Sequence, residues 1–335
     1  MAARRTVIVL SDIHYGGSAE KDRGWREAEF IDNPALRLAL RAYRQFIWRR
    51  DPFAHNYLLE RFLGEVAEAD FVVANGDFSC DTAFVGVGDE AAYQSADECL
   101  SRLRAKFGVR LQATIGDHEL GKRSLFGDQG GMRLASWRRT TQGLGLESFW
   151  RRELGRYVMI GITSSLAALP VYLSETLPEE RPEWERLREA HMGEIQSAIN
   201  ELKPHERLIL FCHDPTALPF LWRETSIESK VRQLANTVIG HLHSRLFLWQ
   251  SHLLAGMPSI SALGYSIRRM SAALQEARYW KPFRIQLCPA LAGIQLLKDG
   301  GYCSLELAED TEEPVQWRVH PLPWSSQTKR YRSDH

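Results

Sequence analysis

The sequence predicts a layered α/β protein with mixed sheets, and three observations support that fold class. Short β-branched apolar runs alternate with helical patterns over the first two thirds of the chain. Strand-like runs then cluster near the carboxyl terminus, a pattern typical of layered α/β folds. The 335 residues are 44% apolar and 25% charged, which suits a globular domain with a sizeable core.

The predicted strands and helices can be placed in chain order. We predict strands at 6–10, 71–74, 110–115, 157–163, 208–211 and 237–239, and near Ile285, Ile294, Leu305 and Val315. A proline follows Asn33 and another follows Asp51, so helices are expected over about 34–49 and 51–69. Apolar spacing predicts further helices at about 91–106, from Pro182 to Ile199, and at 261–279.

Composition excludes several classes of protein and sets an expected location. Lys plus Arg and Asp plus Glu both number 42, so no global field attracts nucleic acid and no nucleic-acid partner is expected. The five scattered cysteines argue against a disulfide framework and fit a reducing compartment. The apolar run Val7 to Leu10 is too short for a signal sequence. A cytoplasmic protein is therefore expected, with peripheral contact to the inner membrane surface as an alternative.

Five short segments place Asp and His where apolar runs end. Because ligands collect at the carboxyl ends of strands in such sheets, these side chains are expected to converge. Carboxylates and imidazoles suit divalent metals, and two ions can clamp both oxygens of a phosphoryl displacement. Each histidine alone is more often structural, but the set predicts a metal site. The segments are Ser11-Asp12-Ile13-His14, Asn75-Gly76-Asp77, Gly116-Asp117-His118-Glu119, Phe211-Cys212-His213-Asp214 and Gly240-His241-Leu242-His243.

In their order, these segments resemble the motifs of the calcineurin-like metallophosphoesterase superfamily over residues about 6–250. The resemblance implies a four-layer α/β/β/α sandwich of two mixed sheets with helical insertions. It implies one domain over 1–324 with insertions at about 20–68, 121–150 and 255–283, and a polar tail at 325–335. Residues 121–150 are rich in Gly, Arg and Trp and are expected to form an ordered insertion over the site.

The resemblance also implies a role for each site residue. Two divalent ions are expected, Mn first and Fe or Zn as alternatives, and they would activate a hydroxide for phosphoester hydrolysis. His118 would be the general acid and Glu119 the carboxylate that orients it. The first metal would be held by Asp12, His14 and His243, the second by Asp117, His213 and His241, and Asp77 would bridge them.

Asp117 departs from the family pattern, which has an asparagine at that position. An ionised aspartate can bind a metal but cannot donate a hydrogen bond to phosphate. With Asp12 and Asp77 also ionised, the ligand set cancels three of the four metal charges. This predicts weaker attraction for dianionic monoesters and a bias toward diesters, shielded pyrophosphate bonds or slow turnover. A metal-bound scaffold with little or no catalysis is the alternative from another functional class.

The substrate stays open between a phosphorylated small molecule and a lipid-linked one. The helices at 34–49 and 261–279 each have an apolar stripe and an arginine-rich stripe. Such helices are either surface helices packed on the sheet or interfacial helices on an anionic membrane. By analogy with UDP-diacylglucosamine hydrolases of the same superfamily, they could hold acyl chains of a lipid precursor. Candidate substrate contacts are Arg123, Arg268 and Arg269.

Overall fold

Two five-stranded mixed sheets form the centre of the protein, which confirms the predicted fold class. The computed structural model describes residues 4–124, 129–260, 265–309 and 313–324, with backbone only at 265–267. The predicted tail at 325–335 lies outside the described residues. The strands are β1 Arg4–Leu10, β2 Phe71–Asn75, β3 Leu111–Thr114, β4 Phe149–Leu154, β5 Tyr157–Ile162, β6 Arg207–Cys212, β7 Leu234–Ile239, β8 Ile285–Leu287, β9 Gly301–Ala308 and β10 Gln316–Pro321.

Parallel pairing directs the carboxyl ends of neighbouring strands to one edge of each sheet. The first sheet has the order β10-β9-β1-β2-β3, with β1, β2 and β3 parallel and β9 antiparallel to both of its neighbours. The second has the order β4-β5-β6-β7-β8, in which β5 to β8 are parallel and β4 is an antiparallel edge strand. All five predicted metal-binding segments follow parallel strands.

Successive side chains along each central strand pack on opposite faces of the sheet, and this produces the layers of the fold. Val7 and Val9 of β1 pack with Met159 and Phe211 of the second sheet in a core between the two sheets. Their neighbour Ile8 belongs to a separate core cluster that includes buried helix residues. Because successive strand residues point to opposite faces, each central strand is covered by the other sheet on one side and by helices on the other.

The helices are placed largely as their start and stop signals predict. Asn33 Oδ1 accepts from the backbone of Ala35 at 2.9 Å and of Leu36 at 3.3 Å, so it caps the helix that begins at Pro34. The α-helices are Ser18–Arg23, Pro34–Phe46, Asn56–Glu65, Glu90–Phe107, Asp117–Leu120, Leu134–Arg138, Ser164–Ala167, Leu169–Tyr172, Arg181–Asn200, Leu218–Glu224, Ile227–Lys230, Arg245–Leu253 and Tyr265–Glu276.

Three local predictions were wrong. Asp51 does not start a helix, because its side chain accepts from the backbone of Phe53 at 2.9 Å and stabilises a turn, so the helix begins at Asn56. Ile294 lies in a turn, not a strand, and its backbone donates to the Asp299 carboxylate at 3.1 Å. The end of the predicted 121–150 insertion is part of strand β4, whose Trp150 packs in the core between the sheets.

Among the described residues, no helix combines the length and apolar content needed to span a bilayer.

Candidate metal centre

The loops after β1, β2, β3, β6 and β7 bring all seven predicted metal ligands to one place between the two sheets. Their ligand atoms form two groups, and within each group the atoms lie within 4.8 Å of one another. All seven residues except His241 are buried. The groups are Asp12, His14 and His243, and Asp77, Asp117, His213 and His241.

Asp77 occupies the position between the two groups. Its Oδ1 lies 3.3 Å from His213 Nε2 in the second group. Its Oδ2 lies 3.9 Å from His14 Nε2 in the first group and has no hydrogen-bond partner among the described residues. Each carboxylate oxygen therefore faces a different group, as expected for a carboxylate that bridges two ions.

In the first group, hydrogen bonds leave the ligand atoms free on the side where they face each other. Asp12 Oδ2 accepts from Ser11 Oγ at 2.6 Å and from the His241 backbone at 3.1 Å. This leaves Asp12 Oδ1 3.1 Å from His243 Nε2. His14 Nε2 lies 3.4 Å from the same His243 nitrogen. Two imidazole nitrogens and one carboxylate oxygen thus converge on one point.

In the second group, backbone and carboxylate partners orient the histidines. His213 Nδ1 lies 2.6 Å from the Asn75 carbonyl and donates to it, so in the neutral imidazole, the form that binds a metal, Nε2 is the lone-pair nitrogen that faces Asp77 and Asp117. His241 Nδ1 lies 3.1 Å from Asp117 Oδ1, and its Nε2 lies 3.9 Å from Asp214. The Asp214 carboxylate also accepts from the Tyr172 hydroxyl.

Backbone strain is concentrated in this site. Left-handed φ angles of 47° to 61° occur at five of the ligands, a region that costs non-glycine residues about 1–3 kcal/mol each. The ligands concerned are Asp12, His14, Asp77, His241 and His243. Gly76 and Gly240 permit the close approach of the loops. A Cβ at Gly76 would lie 2.7 Å from His213 Nδ1, and one at Gly240 would lie 2.0 Å from Ser11 Oγ.

The charges of the site fit two cations. Burial opposes protonation of His213, but the carboxylates of Asp77 and Asp12 outweigh it and raise its pKa well above the usual value. Asp12 Oδ1, Asp77 Oδ2 and His213 Nε2 are buried without hydrogen-bond partners among the described residues. Buried groups of this kind are normally satisfied, and an oxygen and nitrogen donor set suits Mn, Fe or Zn. The residues therefore fit a binuclear metal site, whose metal identity stays open.

His118 lies beside the predicted ligands. Its Nε2 is 3.7 Å from Asp77 Oδ2, and its ring is 4.5 Å from the His14 ring. Burial and the nearby Lys122 lower the pKa of His118 to about 4. Two cations would add to this lowering, while a bound phosphate would oppose it.

Glu119 contacts the loops that carry the ligands rather than the His118 imidazole. Its carboxylate accepts from three backbone N–H groups, those of Gly116 at 2.8 Å, Phe78 at 2.8 Å and Asp77 at 3.0 Å. Burial and the charge of Asp77 raise the pKa of Glu119 to about 7. The family resemblance implied that Glu119 orients His118, whereas these hydrogen bonds hold Asp77 in place.

The three arginines predicted to contact substrate differ in their contacts and exposure. Arg269 pairs with Glu175 at 2.7 Å and lies over the Tyr172 ring. Arg123 donates to the Ser174 carbonyl at 3.3 Å. Arg268 is exposed. None of these contacts joins a predicted metal ligand directly.

Sequence reasoning assigned no role to four residues near the ligands. Lys122 Nζ lies 3.0 Å from Asp117 Oδ2, and Asp214 lies behind His241. Trp48 packs its ring 4.3 Å from the His243 ring, and Arg49 follows it in the chain. Asp214 and Lys122 were detectable as polar neighbours of the motifs. Nothing in the sequence connects residues 48 and 49 with His243, because that contact depends on the tertiary fold.

Comparison with known proteins gives weak similarities only. No family model matches the chain, and no curated protein matches it. Phosphopantetheinyl Hydrolase from Mycobacterium tuberculosis is 13% identical, with a TM-score of 0.36, over 72% of this chain and 84% of its own. A predicted phosphoesterase from Streptococcus pneumoniae is 12% identical, with a TM-score of 0.29, over 96% and 100%.

A third solved structure is the purple acid phosphatase from yellow lupin seeds. It is 10% identical, with a TM-score of 0.32, over 72% of this chain and 38% of its own. Because these TM-scores are low, we base the functional assignment on the geometry of the site alone.

Proposed function

We propose that this protein is a binuclear metal-dependent phosphoesterase. The observation that carries the proposal is Asp77, whose two oxygens face two separate groups of buried Asp and His ligands. The first ion would be held by Asp12, His14, Asp77 and His243, and the second by Asp77, Asp117, His213 and His241. When bound, the ions would lower the pKa of a bound water and neutralise charge that develops on the phosphoryl oxygens.

The residues around the ligands perform the remaining tasks of the reaction. Bound phosphate would favour the protonated form of His118, and this imidazolium donates its proton to the leaving-group oxygen as the ester bond breaks. Asp214 and Asp117 hold His241 between them, and Asn75 fixes the tautomer of His213. Glu119 holds the Asp77 backbone, so the bridging carboxylate stays between the two groups. These contacts position the ligands before any substrate binds.

A reconstitution experiment tests this function. The protein is stripped of metal, reloaded separately with Mn²⁺, Fe²⁺ and Zn²⁺, and assayed on p-nitrophenyl phosphate, bis(p-nitrophenyl) phosphate and an aryl-linked pyrophosphate. We expect activity only after reloading, and a loss of at least about a hundredfold in His213→Ala, since metal ligation is removed. The exposed His205→Ala is the matched control and should keep full activity.

Two outcomes would contradict the proposal. One is activity that persists in metal-free protein. The other is protein that holds two ions per chain yet turns over none of the three substrates, which would favour the metal-bound scaffold.

The second candidate is a substrate with an apolar portion, supported by exposed side chains on two helices near Trp48, which contacts His243. Leu38 and Phe46 on the helix Pro34–Phe46 are 68% and 67% exposed. Trp249 and Leu253 on Arg245–Leu253 are also exposed. Trp48 connects both helices to His243, because its ring lies 6.1 Å from the ring of Phe247. Exposed apolar residues on such helices fit acyl chains or the surface of an anionic membrane.

Paired glutamate variants test the lipid candidate. If a lipid-linked pyrophosphate is the substrate, Leu38→Glu with Phe46→Glu should lower kcat/KM on a long-chain diphosphate ester. The same variant should leave kcat/KM on p-nitrophenyl phosphate unchanged. It should also lose binding to vesicles that contain anionic lipid. Equal activity of variant and wild type on the long-chain ester would exclude this candidate.

A further inference from the structure

Two cationic side chains outside the ligand set lie next to opposite groups of metal ligands. Lys122 lies against Asp117 of the second group, and Arg49 follows Trp48, which packs on His243 of the first group. We propose that Lys122 and Arg49 form a two-sided clamp for the phosphoryl oxygens of the substrate, with His118 between them. This inference rests on the proposed function and names how that site selects its substrate.

Lys122 forms a salt bridge with Asp117. One Asp117 oxygen, Oδ1, faces His213 and His241 at 3.3 Å and 3.1 Å. The other oxygen, Oδ2, lies 3.0 Å from Lys122 Nζ. The Lys122 side chain is 24% exposed, whereas that of Asp117 is 7% exposed. An ammonium group carries three donors, so one contact with Asp117 leaves donors for an incoming anion.

Lys122 therefore provides the hydrogen-bond donors to phosphate that Asp117 lacks. An aspartate at position 117 deprives the site of a hydrogen-bond donor to phosphate and adds a negative charge. Lys122 offsets that charge and places donors next to the same carboxylate. The aspartate and the lysine together can bind a metal on one side and phosphate on the other.

Arg49 is supported by a separate observation, the burial of two of its guanidinium nitrogens without hydrogen-bond partners among the described residues. The residue is 4% exposed, and its Nε and Nη1 have no hydrogen-bond partner among the described residues. Burial lowers the pKa of Arg49 to about 10, so the guanidinium stays charged at neutral pH. A buried unpaired charge is costly, and it is normally paired or binds an anion.

The positions of the two cations relative to His118 support a clamp. Lys122 pairs with Asp117, the residue before His118, at 3.0 Å, and Arg49 Cζ lies 5.9 Å from the ring of Trp48, which packs on His243. His14 and His118 both lie beside Asp77, at 3.9 Å and 3.7 Å. An anion at His118 would thus meet a cation from each group. Such a clamp favours a dianionic phosphomonoester over a monoanionic diester.

Binding of inorganic phosphate to Mn²⁺-loaded protein tests the clamp without relying on turnover. Calorimetry is done on wild type, Lys122→Met, Arg49→Met and the double variant, with metal content measured in parallel. Each single change should weaken phosphate binding about ten- to a hundredfold, since each removes a charged hydrogen bond. The double variant should weaken phosphate binding by about the product of the two single fold-changes. Lys203→Met and Arg186→Met, whose side chains are 63% and 66% exposed, are controls that should not change.

Further readouts separate a clamp from a structural role. Lys122→Arg should recover much of the lost phosphate affinity, because it restores charge and donors. In Mn²⁺-loaded protein, Arg49→Met should melt at or above the wild-type temperature, since an unpaired buried charge is removed. Both variants should lose more kcat/KM on p-nitrophenyl phosphate than on bis(p-nitrophenyl) phosphate. If Arg49→Met does not fold, Arg49→Lys should keep part of the affinity.

The outcomes distinguish failure of the proposed clamp from failure of the proposed phosphoesterase function. Variants that hold two ions and bind phosphate within about twofold of wild type would overturn the clamp and leave the phosphoesterase intact. A lower melting temperature in Arg49→Met with unchanged phosphate affinity would assign Arg49 a structural role. Wild-type protein that takes up no metal would contradict the proposed function itself.

Discussion

Individual residues in the site divide the work between ligation, proton transfer and positioning. The sequence was sufficient to find the seven ligand candidates, because Asp and His followed apolar runs in five segments. It could not give the role of Glu119, since the three backbone groups it binds come from the loops after two different strands. The effect of Asp117 on phosphate binding could not be predicted either, because it depends on the side chain of Lys122.

His118 gives a prediction at the residue scale. His118→Ala should lower turnover of an alkyl phosphate about a hundred- to ten-thousand-fold, because the poor leaving group needs a proton. The loss should be much smaller on p-nitrophenyl phosphate, whose leaving group needs little help. Metal content should stay near wild type. Equal losses on both substrates, with unchanged metal, would argue against a role in proton donation.

At the scale of elements, the site depends on how loops after parallel strands are held together. Strand and helix positions were largely predictable, because apolar runs and capping residues act locally. The strand β4 was missed because its alternation is masked by charged residues, and only Trp150 marks its buried face. The left-handed backbone at five ligands could not be predicted, since positive φ stays uncommon even for Asp and His, which adopt it more often than most residues.

Glu119 gives a prediction at the scale of elements. Its carboxylate joins the loop after β2 to the loop after β3 through the backbone of Asp77, Phe78 and Gly116. Glu119→Gln keeps the shape but replaces an acceptor with a donor. At pH 6, below the raised pKa of Glu119, the wild-type carboxyl carries no ionisation penalty, and the substitution should cost about 1–3 kcal/mol in the free energy of unfolding because a buried N–H loses its partner.

The metal affinity of Glu119→Gln should fall as well, since Asp77 is less well held. Urea unfolding and metal titration measure the two effects. The exposed Glu179→Gln is the matched control. An unfolding free energy equal to that of wild type would show that these hydrogen bonds do not hold the loops.

At the scale of the whole molecule, stability should depend on pH through buried neutral histidines as well as through the metal site. His55 is 6% exposed and stacks on Trp324 with ring centroids 3.9 Å apart. Burial and the charge of Arg49 lower its pKa to about 3. Below about pH 6.5 the unfolded chain binds a proton that the folded chain excludes. Stability from this group is present above that pH and is lost as the pH falls.

His55→Phe isolates this contribution, because phenylalanine keeps the stacking and does not titrate. Urea unfolding at pH 7.5, 6.5 and 5.5 should show a loss in wild type that exceeds that in the variant by up to about 1.4 kcal/mol per pH unit below 6.5. Acid release of metal affects both proteins alike. Parallel pH profiles would contradict a neutral buried His55.

The central claim is that one buried cluster of Asp and His holds two metal ions with Asp77 between them. The most direct measurement is metal content by mass spectrometry after saturation with Mn²⁺ and removal of free metal, on wild type and Asp77→Asn. The exposed Asp32→Asn is the control. We predict about two ions per chain in wild type and in the control, and loss of most of both in Asp77→Asn. Wild-type protein that saturates at one ion or none, or an Asp77→Asn variant that keeps two, would contradict the account.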